Sequence, residues 1–473
     1  MRCFHLVIIK GLLEATPELP KPYLGLVAKG GSYIVRRLFL YFLKQMTLTT
    51  NTSLENAVYR KVSWRLIPIL LLGYCVAYLD RVNISFAKLQ MLNDLGMSDY
   101  VYGLGAGIFF IGYFLFEIPS NLILHKIGAR IWIARIAMSW GMISGAMIFV
   151  SSPTTFYVGR FLLGIAEAGF FPGIILYLTY WYPAHRRGRI VSLFMTAVPL
   201  AGVFGGPLSG FILEYFNGIH GFQGWKWLFV LEGVPSCLVG VALFFLLTDS
   251  IEQANWLSSE EKSILIRNMD AEEVQKSSHS ILEIFKNAKV WFLSFVYLCF
   301  VVGVYGVSFW LPSIIQGMGF VDLFDVGLLS AIPYVFSIVA MFFISKSSDH
   351  TRERRWHLAL TALAGAIGLV ISVIYAHVPW MAMAALSVAA GGVFTIVALF
   401  WTLPTAFLSG IGAATGIALI NSIAALAGFV APYIIGLLKE YTGSTNAGVF
   451  FMAICLVIGA FLTLLIPTRL VSS

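Results

Sequence analysis

The chain has 473 residues, of which 59% are hydrophobic and only 11% charged, and it carries a formal net charge of +8. A soluble domain of this size has no interior large enough for so much apolar surface. The basic residues fall in short segments between apolar runs rather than on one contiguous face, which argues against a nucleic-acid partner.

Residues 1–45 are an odd leader. "LVIIKGLLEA" is too short to span a bilayer, two prolines follow, and no small-residue cleavage site closes a signal peptide. Met46 opens the ordinary polar leader "TLTTNTSLENAVYRK", so the segment before it reads as an over-extended gene start, with an interfacial helix containing "YIVRRLFLYFLK" as the alternative. Apolar runs then begin near residues 64, 101, 131, 155, 190, 226, 289, 326, 356, 379, 411 and 447. Each approaches the roughly 20 residues that cross a hydrocarbon core as a helix, and none alternates as a barrel strand would. The expected fold is an all-α membrane protein of twelve transmembrane helices.

The first run ends in "VAYLDRVNIS", which sets Asp80 and Arg81 side by side about 24 Å along a helix that starts near Trp64. Charge at such depth costs about 2.5–3.5 kcal/mol per residue on insertion scales, so it marks function. In the fourth run, "GRFLLGIAEAGFFPG" puts Arg160, Gly164 and Glu167 on one helical face. Asp80 and Arg160 fall at similar depth and are expected to pair across spans one and four, leaving Arg81 and Glu167 to face a polar cavity. A carboxyl in a low-dielectric cavity beside an arginine can exchange a proton as its partner comes and goes. The planar guanidinium of Arg81 matches a carboxylate. The acids would handle protons and the arginine an organic anion.

The Gly-rich "AGVFGGPLSG" in the fifth run follows no strand, so it is a helix-packing segment rather than a nucleotide loop. Glu214 and Glu232, in the fifth and sixth runs, are expected to be interfacial or structural. A polar linker at about residues 249–288 divides the runs six and six, with "LSSEE" as a helix N-cap through Ser258 or Ser259. The basic loops "LHKIGARIWIA" and "SSDHTRERRWHLAL" occupy equivalent places in the two halves. The expected domains are an N-terminal cytoplasmic segment 1–59, a six-helix bundle 60–248, the linker 249–288 and a second bundle 289–473, related by pseudo-symmetry and with a substrate site between them. Basic residues such as Arg60, Arg130, Arg186, Arg187, Arg352 and Arg355 cluster on one set of loops, against Lys88, Lys226 and Lys439 on the other. The positive-inside rule then puts both termini in the cytoplasm of a plasma membrane, the inner membrane in a bacterium. Cys3, Cys75, Cys237, Cys299 and Cys455 are scattered without metal or disulfide spacing.

The stretches "WRLIP", "YLDRVN", "FEIPSN", "GARIWIARI", "GRFLLGIAEAGFFPG" and "WLPSIIQGMGF" resemble the anion:cation symporter branch of the major facilitator superfamily. "SDHTRERRWH" and "FWTLPTAFLSGIGAATGIALINS" are similar to its tartrate and phthalate-type permeases, and the likeness covers about residues 60–470. It implies proton-driven import of organic anions by a monomer, with proton-linked acids at Asp80 and Glu167 and arginines at Arg81 and Arg160. It also implies substrate-lining positions at Tyr78, Tyr113, Trp401 and Asn421. Two departures stand out. The loop after span two has His125 and Asn121 where the superfamily has Asp and Gly, while the second-half copy keeps its acid at Asp349. Glu117 is the candidate for the gating pairs which that first acid would make. Val198 stands where sugar-acid carriers of the branch have Gln, which favours smaller or more apolar anions.

The expectation is a symporter of a tartrate-like hydroxy-dicarboxylate, with an aromatic (phthalate-like) carboxylate permease or an anion exchanger as alternatives. No cofactor, metal or ATP motif is expected. A lipid enzyme would need clustered acids or histidines, and "HRRGR" and "HTRERRWH" are too basic for that. A sensor would need an appended signalling domain.

Overall fold

A computed structural model describes residues 53–273, 286–401, 403–404 and 410–466. The leader reading of residues 1–45 and its interfacial-helix alternative lie outside the described residues. The chain forms two compact units, residues 1–63 and 64–473. In the first, residues 53–63 are helical, and Ser63 Oγ donates to the Tyr59 carbonyl at 2.8 Å.

Among the described residues, 12 helices are long and apolar enough to cross a membrane. In chain order these spans are Leu54–Leu95, Asp99–Ile127, Ala129–Phe149, Pro153–Thr179, Arg186–Tyr215, Gly224–Leu246, Ala288–Gly317, Leu323–Thr351, Arg355–Ile374, Pro379–Phe400, Leu419–Thr442 and Asn446–Leu464. Helix is the only open-ended choice here, because a chain in lipid must satisfy its backbone polar groups within the segment. After span six, Ser258 caps the helix Ser259–Glu273: its Oγ accepts from Glu261 N at 3.2 Å, and Glu261 Oε2 accepts from Ser258 N at 2.8 Å.

Packing is closest where side chains are small. Spans three and six pack together along Gly141, Gly145 and Gly233, and spans two and four along Gly112 and Gly164. Spans nine, ten and twelve form a second packed group. Glycines bring the first six spans against the last six at two places among the described residues: span two meets span eleven at Gly103 and Gly436, and span five meets span eight at Gly206, Gly210 and Gly327. Both contacts lie at the end opposite the basic loops.

Span four is broken. Its first part, Pro153–Glu167, starts with a capping box between Ser152 and Thr155 and stops at Ala168. Gly169 then takes φ +86°, and a second part runs from Phe170 to Thr179. That backbone suits glycine alone, and a Cβ there would also run into the Ser120 side chain of span two. Glu167 therefore sits at the last turn before an irregular joint, the arrangement carriers use where a charged group lines a cavity.

Candidate functional site

A cavity of about 100 Å³ lies between the first and last six spans, lined from one side by Tyr74, Tyr78, Arg81 and Tyr113 and from the other by Tyr297, Tyr305 and Asn421, among others. About 10–15 Å³ admits one water on this scale, so the cavity has room for roughly seven to ten waters or a small molecule in their place. Its remaining walls are apolar: Phe110, Phe171, Val198, Val301, Val304 and Phe394. Arg81 is the one cationic side chain among the described lining residues.

Arg81 is buried and ion-paired with Glu167 across spans one and four. Both Nε, at 3.1 Å, and Nη2 donate to Glu167 Oε1, and Nη1 donates to the Tyr305 hydroxyl at 3.4 Å. Phe109 and Tyr113 each put a ring 5.4 Å from the guanidinium carbon.

The expected Asp80–Arg160 pair does not form. Asp80 and Arg81 are neighbours in sequence, so their side chains leave the helix about 100° apart and meet different spans. Asp80 turns away from the cavity toward spans three and six, where it accepts hydrogen bonds from Trp140 Nε1 at 3.1 Å, from Ser144 Oγ at 2.8 Å and from Ser236 Oγ. Arg160 is fully buried, and its guanidinium lies 5.0 Å from the Phe109 ring centroid. None of its nitrogens has a hydrogen-bond partner among the described residues. Of Arg81 and Glu167, expected to face a polar cavity, Arg81 is among the lining residues, and the two are paired with each other.

The other candidates fall in four places. Tyr78, Tyr113 and Asn421 line the cavity, as does Val198. Tyr78 also shares a hydrogen bond of 2.7 Å with Ser308 of span seven. Trp401 stands behind this wall, edge-on to Tyr297 at 5.1 Å. Glu117, buried on span two, accepts from Asn421 Nδ2 at 3.5 Å, so the pair bridges spans two and eleven. Asp349 lies apart, exposed and 2.5 Å from Arg354 Nη1.

Sequence reasoning passes over two groups. The donors around Asp80 are one; their signal is Trp140 and Ser144 at i, i+4 in an otherwise apolar span. The other closes the end opposite the basic loops. Lys88 of span one is buried, 2.6 Å from Asp99 of span two and 3.5 Å from the Trp310 ring centroid of span seven. Lys439 of span eleven reaches the other Asp99 oxygen at 3.0 Å. One carboxylate thus ties spans one, two and eleven, and Lys88 carries the cluster on to span seven.

Comparison with known proteins agrees with this architecture. The family model of the Major Facilitator Superfamily matches residues 70–432. A protein of Agrobacterium vitis named "Putative tartrate transporter" is 47% identical over 429 residues, covering 90% of this chain and 95% of that one. The "Putative metabolite transport protein NicT" of Pseudomonas putida is 45% identical over 419 residues, covering 88% of this chain and 96% of its own. The partially occluded inward-open structure of the xylose transporter XylE from E. coli superposes with a TM-score of 0.66 at 16% identity, over 85% of this chain and 99% of that one.

Proposed function

Because the chain belongs to the major facilitator superfamily and so is a multi-pass membrane transporter rather than an enzyme, we propose that it imports a small organic carboxylate with protons by alternating access. The observation that carries this reading is the pairing of Glu167 with Arg81, which lines the cavity. The one cation among the described lining residues is occupied by an internal carboxylate, so a substrate carboxylate must compete for it. Protonation of Glu167 removes its charge and frees Arg81 for the substrate. Deprotonation lets Glu167 reclaim Arg81 and expel the substrate. Proton and anion then move together, because each controls the same guanidinium. The two groups of six spans rock about the cavity, and the basic loops face the cytoplasm.

The lining favours an anion with one charged end and a flat, largely apolar body. Five tyrosine hydroxyls and one amide supply its polar contacts, and aromatic rings supply much of the rest. A second carboxylate would enter without a counter-charge, which is costly in such a site. The second reading, a tartrate-like hydroxy-dicarboxylate, is favoured by the name of the Agrobacterium relative. Counterflow in proteoliposomes decides between them: labelled benzoate and tartrate, each against a panel of unlabelled acids, with and without an inward proton gradient. Uptake of an acid that rises with the gradient supports symport. Uptake of neither acid, or uptake indifferent to the gradient, refutes the coupled reading.

A further inference from the structure

Asp80 does not line the cavity, so any proton it exchanges must pass through protein. Its neighbour Ser236 belongs to span six, and Glu232 lies one turn earlier on the same face of that span. Glu232 is fully buried. Its Oε1 accepts from Ser209 Oγ of span five at 2.7 Å, while Oε2 has no hydrogen-bond partner among the described residues. The Asn83 side chain of span one faces it. Asn83, Ser85 and Ser209 also line a void of about 10 Å³ whose far wall carries Ser308 and Tyr334 of the last six spans. That volume admits about one water. Ser308 bonds the Tyr78 hydroxyl, and Tyr78 lines the substrate cavity. Hydrogen bonds therefore join Asp80 to Ser236 at one end and Glu232 to Ser209 at the other side of one helical turn, and from Ser209 the void leads to Ser308 and Tyr78.

Charge gives this string of polar groups a purpose. Neither Asp80 nor Glu232 has a cationic partner among the described residues, and the other titratable groups that face Asp80 are Glu167 of span four and Cys237 of span six. Burying two carboxyls in one packed group of spans without a cation penalises ionising both. The pair is suited to hold one proton between them.

We infer that Glu232 is a proton-relay residue, which shares a proton with Asp80 and exchanges it with the substrate cavity along Ser209, a bridging water, Ser308 and Tyr78. In each transfer one O–H bond breaks on the donor as another forms on the acceptor, and every hydroxyl in the string ends with the single hydrogen it began with. The void lies between the two groups of spans, so their separation would open the string to water from the end opposite the basic loops.

The inference rests on the proton-coupled reading above, and its test separates the two. Proteoliposomes loaded with a pH-sensitive dye report proton entry driven by substrate, and exchange of labelled for unlabelled substrate reports transport without net proton movement. Glu232→Gln should keep exchange within about twofold and cut substrate-driven proton entry at least tenfold. Ser308→Ala, at the other end of the string, should slow proton entry severalfold and serves if the first variant does not fold. Proton entry at the wild-type rate in either folded variant overturns the relay. Infrared difference spectra of the wild type should show a protonated carboxyl band that shifts in D2O and is lost in Glu232→Gln. A spectrum without that band also overturns the relay, even if the wild type moves protons normally. Conversely, a wild type that moves no protons with substrate refutes the coupled reading, while the band still reports whether the Asp80–Glu232 pair holds a proton.

Discussion

Arg81 grips Glu167 by a single oxygen: Nε and Nη2 both reach Oε1, while Oε2 has no hydrogen-bond partner among the described residues. One oxygen is held and the other stands ready to take a proton. Glu167→Gln imitates the protonated acid, so this variant should keep substrate exchange and lose accumulation driven by a proton gradient. Gradient-driven uptake at the wild-type rate would remove Glu167 from the coupling mechanism.

Arg81→Lys keeps the charge but loses the fork that joins Glu167, Tyr305 and the incoming carboxylate. Substrate binding to the purified protein should weaken at least tenfold, about 1.4 kcal/mol. Binding within twofold of wild type would make Arg81 a packing residue.

Asp80 and Arg160 have separate surroundings, so their stability effects should add. In detergent, Asp80→Asn and Arg160→Gln should combine within about 0.3–0.5 kcal/mol of the sum, whereas Asp80→Asn with Ser144→Ala should depart from additivity by about 0.5–3 kcal/mol. Strong coupling in the first cycle would contradict the separation of these two charges.

Asp99 binds two ammonium groups at the closed end, and Lys88 is buried against Trp310. Removing one partner of a buried pair typically costs about 3–5 kcal/mol, so Asp99→Asn should destabilise closure at that end. Labelling of a cysteine placed at Val304, in a background without native cysteines, should then speed up at least tenfold for a reagent supplied from that side. An unchanged rate would mean that other contacts hold the end closed.

Val198 lines the cavity, and Val198→Gln adds an amide to an apolar wall. One new hydrogen bond contributes about 0.5–1.5 kcal/mol, so uptake of tartrate relative to benzoate should rise about two- to tenfold. A falling ratio would show that Val198 does not face the substrate's hydroxyl-bearing part.

The spans were legible because hydropathy is a property of each segment alone: ten starts fall within four residues of where apolar runs meet Gly, Pro or charge, while the first span begins earlier, at Leu54 rather than near Trp64, and the eleventh later, at Leu419 rather than near residue 411. Depth along a helix was legible too, which is why Asp80 and Arg160 looked like partners. Rotation about the helix axis was not. A step of one residue decides whether a side chain meets span four or spans three and six, and hydropathy is nearly blind to it where all faces are apolar. Contacts such as Glu117 with Asn421, or Tyr78 with Ser308, join positions hundreds of residues apart and have no local signature.

The seal opposite the basic loops includes patches where bare backbone meets bare backbone. A Cβ on Gly103 would lie 3.2 Å from the Gly436 Cα, and one on Gly327 would lie 2.8 Å from the Gly210 Cα. Ordinary interfaces immobilise side chains as they form, at about 0.5–1.5 kcal/mol for each rotamer-rich residue. Glycine has no rotamers to freeze. These patches can meet and part without freezing rotamers, which leaves the polar contacts at the same end a larger share in setting the balance between closed and open.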